Sequence, residues 1–259
     1  MKHIVLLRGL AREAAHWLDF PARLQQHLGA DCHVHLVDFP GCGRYFTQPA
    51  LASVSAMTEH ARREIDALNI DAQSTPLLVI GISMGGMIAL DWAQRFPLEV
   101  RGLVLINSST GAQPFWWRLR PGAWLSTVCA LFASTRAREA GVLALVSSKD
   151  DAHALHLRQW LAIQQQRPVS RATIVTMLRA AARFQPQPEC SAAGLILASK
   201  RDRMVSVRAS EAIAKAFGWP IFTHETAGHD LPIDDSEWVI RQIDNWLIKA
   251  ASNQCKNTV

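Results

Sequence analysis

The segment Gly81–Gly85, which reads G-I-S-M-G, constrains the fold of this chain more than any other segment. It follows the apolar run Leu77–Ile80, which indicates a buried strand, and precedes a helical pattern over Met84–Arg95 that ends before Pro97. A serine on so sharp a turn has a strained backbone, and flanking glycines relieve the crowding. The segment predicts that Ser83 is a nucleophile at the rim of a parallel sheet. The alternative is a glycine-rich turn whose serine only caps the helix.

Short apolar runs alternate with longer amphipathic stretches along much of the chain. Runs of this length and composition indicate buried parallel strands joined by right-handed crossovers. The runs are Ile4–Leu7, Val34–Val37, Leu77–Ile80, Leu103–Ile106, Leu195–Ala198 and Trp219–Thr223. We therefore predict an α/β fold with a mostly parallel sheet of about six strands. Its core comprises residues 1–111 and 186–250, and residues 251–259 form a loose tail.

The alternation breaks over residues 112–185, where no strand pattern is found. Helical patterns occur instead at Asp151–Gln166 and at Ser170–Phe184, and Ser170 is a suitable N-cap for the second. We predict a helical cap inserted before the strand that carries the catalytic acid. Ligands bind at the carboxyl edge of open α/β sheets, so the cap is expected to cover that edge.

A serine is a poor nucleophile without a base, and two later residues can complete a catalytic triad with Ser83. Asp202 lies four residues beyond the run Leu195–Ala198, and His229 lies between the last strand pattern and a final helix at about Asp235–Ala250. The order serine, aspartate, histidine is that of a known hydrolase arrangement. His229 would accept the serine proton, and Asp202 would orient the imidazole.

Neighbouring polar residues are weaker candidates for these roles. The strand end after Leu103–Ile106 carries Asn107, Ser108 and Ser109, none of which is a carboxylate. Asp230 adjoins the base but is expected to point elsewhere. His16 either lines the site or packs beside Trp17.

Two backbone N–H groups are expected to form an oxyanion hole. The loop after the first strand, Arg8-Gly9-Leu10, would supply the N–H of Leu10, and the helix after Ser83 would supply that of Met84. Other side chains are candidates for lining the pocket, although tryptophans in helices are also common packing residues. These candidates are Arg8, His16, Trp116, Trp117 and Trp160.

Over nearly its whole length the chain resembles the α/β-hydrolase family. The resemblance is carried by Leu7–Leu10, His35–Arg44, Gly81–Gly86, Leu103–Ser108, Asp202 and Gly228-His229. In size and cap position the chain is similar to small capped bacterial serine esterases, among them the pimeloyl-acyl-carrier-protein methyl ester esterases. It departs from the family at Arg8, where a histidine is usual, which changes the packing expected around the oxyanion loop.

The resemblance implies hydrolysis of a carboxylic ester or thioester through an acyl-enzyme on Ser83, an activity of class EC 3.1. A first alternative is a lyase resembling the menaquinone-pathway synthase, in which the triad acts as a base and arginines hold a carboxylated substrate. A second alternative is a non-catalytic binding protein on the same fold.

Charge and composition limit the partners. Residues 112–185 carry ten basic and three acidic side chains, a net charge of +7, which leaves −2 for the rest of the chain. This cap either attracts an acidic acyl carrier protein or a coenzyme A ester, or it is a solvated face. Five cysteines without a C-x-x-C pair predict neither a metal site nor disulfides, and we expect no cofactor. No nucleic-acid motif and no membrane-spanning run is found, and a cytoplasmic location is expected.

Overall fold

The computed structural model describes residues 2–149 and 152–256 and contains one six-stranded sheet with the order β2-β1-β3-β4-β5-β6. All five strand pairs are parallel, which confirms the predicted sheet. The strands are β1 (Lys2–Leu7), β2 (Cys32–Val37), β3 (Leu77–Ile82), β4 (Val100–Ile106), β5 (Ala193–Ser199) and β6 (Ile221–His224).

Helices cover both faces of the sheet, so the strands need apolar side chains on both sides. Along β1, Val5 and Leu7 belong to one hydrophobic cluster, whereas Ile4 and Leu6 belong to the other. Helices α2, α3 and α9 pack in the first cluster, and α1 and α11 pack in the second. Their bounds are α1 (Phe20–Leu28), α2 (Val54–Asp66), α3 (Met84–Arg95), α9 (Val207–Phe217) and α11 (Ser236–Lys256).

Five helices occupy the segment in which the sequence predicts no strand. They are α4 (Phe115–Arg118), α5 (Pro121–Phe132), α6 (Thr135–Val146), α7 (His153–Gln166) and α8 (Arg171–Arg183). The Ser170 hydroxyl accepts a hydrogen bond from the N–H of Thr173 at 3.0 Å and caps α8, as its sequence pattern indicates. Asp151, at the start of the other predicted helix, lies outside the described residues.

The C-terminal end of the chain differs from the prediction. A short helix, α10 (Leu231–Asp234), precedes α11, and α11 continues to Lys256. Residues 251–256 of the predicted loose tail thus continue this helix, and no glycine or proline interrupts the sequence there. Residues 257–259 lie outside the described part. Among the described helices, none combines the length and the apolar character needed to cross a membrane.

Candidate active site

Ser83 occupies the tight turn between β3 and α3, and its backbone is strained. Its φ of 57° and ψ of −121° lie in a region that side-chain-bearing residues rarely adopt. A Cβ atom on Gly85 would collide with the carbonyl oxygen of Leu7, and one on Gly81 would collide with the backbone of Gly85. The glycines therefore permit the close approach of β1, β3 and α3 that presents Ser83 at the carboxyl edge of the sheet.

His229 and Asp202 form a buried pair at the same edge. The Nδ1 atom of His229 lies 2.6 Å from Oδ2 of Asp202. The other carboxylate oxygen, Oδ1, accepts hydrogen bonds from the N–H groups of Met204 at 2.7 Å and Val205 at 2.9 Å. Since the carboxylate accepts from Nδ1, the proton of a neutral imidazole lies on Nδ1 and Nε2 is left as the basic nitrogen.

Opposing effects act on the pKa of His229. Burial of the ring lowers the pKa, because it disfavours the charged form. The charge and hydrogen bond of Asp202 and the charge of Asp230 raise it, and the nearby Arg8 lowers it. The net result is a pKa of His229 above its ordinary value.

Asn107 holds the loop of His229 in place, a role that the sequence analysis missed because it considered this position only for a carboxylate. The Asn107 Nδ2 donates to the carbonyl oxygen of His229 at 2.8 Å and to Oγ of Ser199 at 3.0 Å. Its Oδ1 accepts from the Ser199 N–H at 2.8 Å. One amide thus joins the end of β4 to the end of β5 and to the histidine loop. The sequence signal for this role was an amide side chain directly after a predicted strand, next to the predicted site.

A buried ion pair joins the loop after β1 to the loop of His229. The guanidinium of Arg8 contacts both carboxylate oxygens of Asp230, at 3.0 Å and 2.5 Å. Both side chains are buried, and Arg8 also lies over the ring of Trp17 at 4.8 Å. Asp230 was expected to point away from the site. It instead lines the cavity at Ser83, because Arg8 on the adjacent loop provides its counter-charge.

The backbone donors expected for an oxyanion hole lie close to Ser83. A Cβ atom on Gly9 would be 3.2 Å from Cβ of Ser83, so the loop that carries Leu10 passes directly beside the serine. Leu10 and Met84 both line the cavity, and neither N–H has a hydrogen-bond acceptor among the described residues.

A cavity of about 730 Å³ lies between the sheet edge and the cap. It is lined by Ser83, His229, Leu10 and Met84 from the core and by mostly apolar residues of α5, α6 and α8. Such a volume is within the range of small-molecule sites. The predicted nucleophile and base therefore face one common, largely apolar space.

The lining of the cavity agrees only in part with the expected one. Arg8 and Trp160 line it, whereas His16, Trp116 and Trp117 do not. Trp116 is exposed on α4, and Trp117 lies near Arg208, because α4 directs these rings away from the sheet edge. His16 packs edge-on against Trp160 in the core.

Charged side chains fasten the cap to the core beside the cavity. Arg12, in the loop after β1, lies 2.5 Å from a carboxylate oxygen of Glu139 on α6 and over the ring of Trp160 on α7. Arg167, after α7, lies 2.5 Å from Glu13. The contact of Arg167 uses a positive charge of the cap, whereas that of Arg12 uses a cap carboxylate, so not all of the charge of the cap is on a solvated face.

Comparison with known proteins shows the family of the chain. The model of the alpha/beta hydrolase family matches residues 4–242. A pimeloyl-[acyl-carrier protein] methyl ester esterase from Chromobacterium violaceum is 31% identical over 178 residues, which are 68% of this chain and 61% of the relative. The protein of the same name from Yersinia enterocolitica is 36% identical over 122 residues, 46% of this chain and 42% of the relative.

The fold is also similar to those of solved structures. A thermophilic esterase from Thermogutta terrifontis superposes with a TM-score of 0.73 at 17% identity, covering 96% of this chain and 90% of the esterase. At this identity the likeness concerns the fold alone. The sequence matches cover less than two thirds of the length of the two curated relatives.

Proposed function

Because the chain belongs to the alpha/beta hydrolase family, we propose that it is a serine hydrolase that cleaves a carboxylic ester or thioester through an acyl-enzyme on Ser83. One observation carries the proposal. The hydrogen-bonded pair of His229 and Asp202 and the strained Ser83 converge on one apolar cavity at the carboxyl edge of the sheet. The members of this triad come from three different loops.

In the proposed reaction, Nε2 of His229 takes the proton of the Ser83 hydroxyl while Oγ attacks the carbonyl carbon of the substrate. The protonated imidazole is stabilised by Asp202 and then passes the proton to the leaving alcohol or thiol. Water, activated by the same histidine, then attacks the acyl carbon and releases the acid, which restores Ser83.

The developing oxyanion would be held by the N–H groups of Leu10 and Met84. Both donors lack an acceptor among the described residues, so neither must break a hydrogen bond to bind the oxyanion. The N–H of Met84 is also at the N-terminus of α3, where the helix dipole favours negative charge. Loss of one such donor typically lowers kcat by about 10²–10³-fold.

The size and lining of the cavity favour an acyl chain over a polar substrate. The relatives named as pimeloyl-[acyl-carrier protein] methyl ester esterases are consistent with a small ester or a carrier-linked acyl group, and the positive cap would suit an acidic carrier protein. Five arginines line the cavity. Arg8 is paired with Asp230, and Arg12 and Arg138 are paired with Glu139, whereas Arg118 and Arg179 have no ion pair with a described residue. The arginines therefore do not distinguish the esterase from the lyase alternative.

Covalent labelling tests the proposal. The wild-type protein is incubated with a fluorophosphonate probe and its intact mass is measured, with Ser83→Ala and Ser109→Ala as matched variants. Ser109 also lines the cavity, so it controls for labelling of a second serine at the same site. We expect one adduct on wild type and on Ser109→Ala, and none on Ser83→Ala. Equal labelling of Ser83→Ala, or no adduct on wild type together with no hydrolysis of nitrophenyl esters, would contradict the proposal and favour a binding protein.

A further inference from the structure

The outer surface of α5 is unusual for a helix that faces solvent. Its twelve residues include no charged side chain, and within this fully described helix only Ala123 is buried. Leu125 is 60% exposed and Phe132 is 78% exposed. The two leave the helix seven residues apart, which is close to two full turns, and therefore share one side of it. We call Leu125 and Phe132 the outer face of α5.

The inner side of the same helix belongs to the candidate active site. Trp124, Thr127, Val128 and Leu131 line the cavity that contains Ser83. The exposed Cys129, which lies between Leu125 and Phe132 in the sequence, lines it too, so the outer face borders the cavity. An exposed apolar surface of this kind can mark a membrane or ligand site.

The sequence on both sides of α5 is positively charged. Residues 100–138 contain five arginines and no aspartate or glutamate. Arg120, directly before α5, and Arg136, in the first turn of α6, are both exposed, and neither is in an ion pair with a described residue. An uncharged helix with an apolar side, bordered by arginines, has the composition of a segment that lies in the interface of an anionic lipid layer.

We propose that the outer face of α5 docks on an anionic lipid surface, and that the enzyme takes its ester substrate from that surface. This inference rests on the proposed function for its substrate but not for its docking. A second copy of the chain fits the face less well, since a symmetric contact would bring the arginines of both copies together. An acidic carrier protein would be recognised by point charges, and the centre of this face has none.

Vesicle binding tests the docking without reference to catalysis. Ser83→Ala protein is sedimented with vesicles of phosphatidylcholine, with and without phosphatidylglycerol. Leu125→Gln/Phe132→Gln removes two exposed apolar groups that do not line the cavity. The matched control is Leu68→Gln/Leu98→Gln, which alters two leucines that are 53% and 70% exposed on the core. We expect the control to bind as the parent does and the α5 variant to bind at least about tenfold more weakly.

Two further experiments test the role of the arginines in docking and the source of the ester substrate. Arg120→Gln/Arg136→Gln is expected to lower binding to phosphatidylglycerol vesicles by about fivefold per arginine, with little effect on phosphatidylcholine vesicles. In the Ser83-containing protein, Leu125→Gln/Phe132→Gln should hydrolyse a short water-soluble nitrophenyl ester as wild type does, and lose activity only on a long-chain ester dispersed in vesicles.

Several outcomes would overturn the docking. These are equal vesicle binding by the α5 variant and its control, no binding by the parent, or a dimer in solution that only the α5 variant disperses. Binding of acyl carrier protein that only the α5 variant loses would also assign the face to that partner. If vesicles are bound but no ester is hydrolysed, the proposed function fails and the lipid affinity stands.

Discussion

Helices α3 and α5 have the same length of twelve residues, yet they have opposite positions in the molecule. Both are described in full. Ten residues of α3 are buried, whereas α5 buries only Ala123. Helix α3 begins directly after Ser83, the proposed nucleophile, and α5 lines the same cavity as Ser83. The difference indicates a division of the molecule into two parts. The rigid half, which includes α3, fixes the reacting groups, whereas the apolar half, which includes α5, is held by few contacts and can adapt to a substrate.

The largest expected effect concerns the rigid half. Asp202→Asn keeps the shape of the side chain but removes the charge that orients His229 and stabilises its protonated form. We expect kcat on a nitrophenyl ester to fall by about 10²–10⁴-fold, with a much smaller change in KM. Steady-state kinetics measure this effect, and Asp244→Asn on the exposed side of α11 is the matched control. A variant with nearly wild-type kcat would mean that Asp202 does not orient the base.

The same division explains what the sequence could predict. Because parallel strands end at one edge, an elbow serine, a later aspartate and a final histidine could be assigned to a common site from their order alone. The pair of Arg8 and Asp230 could not be assigned, since 222 positions separate the two residues and many other acids were available. The exposure of α5 could not be assigned either, since burial depends on which elements pack against a helix, and α5 buries only Ala123.

Hydrogen exchange should sharpen the contrast between the two helices. The amides of α3 can exchange only when buried packing on both sides is lost, whereas those of α5 need only a local opening. We expect backbone amides of α5 to exchange at least about 10²-fold faster than those of α3, measured by mass spectrometry of peptides from the native protein. Added phosphatidylglycerol vesicles should slow exchange in α5 and leave α3 unchanged. Equal protection of the two helices in water would contradict the division.

The smallest expected effect concerns the electrostatics of His229. Its pKa is raised above the ordinary value of 6.5 in the folded enzyme, and the active form needs an unprotonated imidazole. The acid limb of kcat/KM should therefore lie above pH 6.5. The negative charge of Asp230 raises the pKa of His229, and the positive charge of Arg8 lowers it. Asp230→Asn removes the first charge and keeps the second, so the acid limb should move to lower pH.

Two controls separate this effect from damage to the fold. Asp230→Asn leaves the guanidinium of Arg8 buried without a counter-charge, and such losses typically cost about 3–5 kcal/mol of stability. Arg8→Met/Asp230→Leu removes both charges, and their opposing effects on the pKa of His229 should then largely cancel. The double variant should keep an acid limb close to that of wild type. If instead both variants moved the limb equally, the shift would come from altered loop geometry and not from the charge of Asp230.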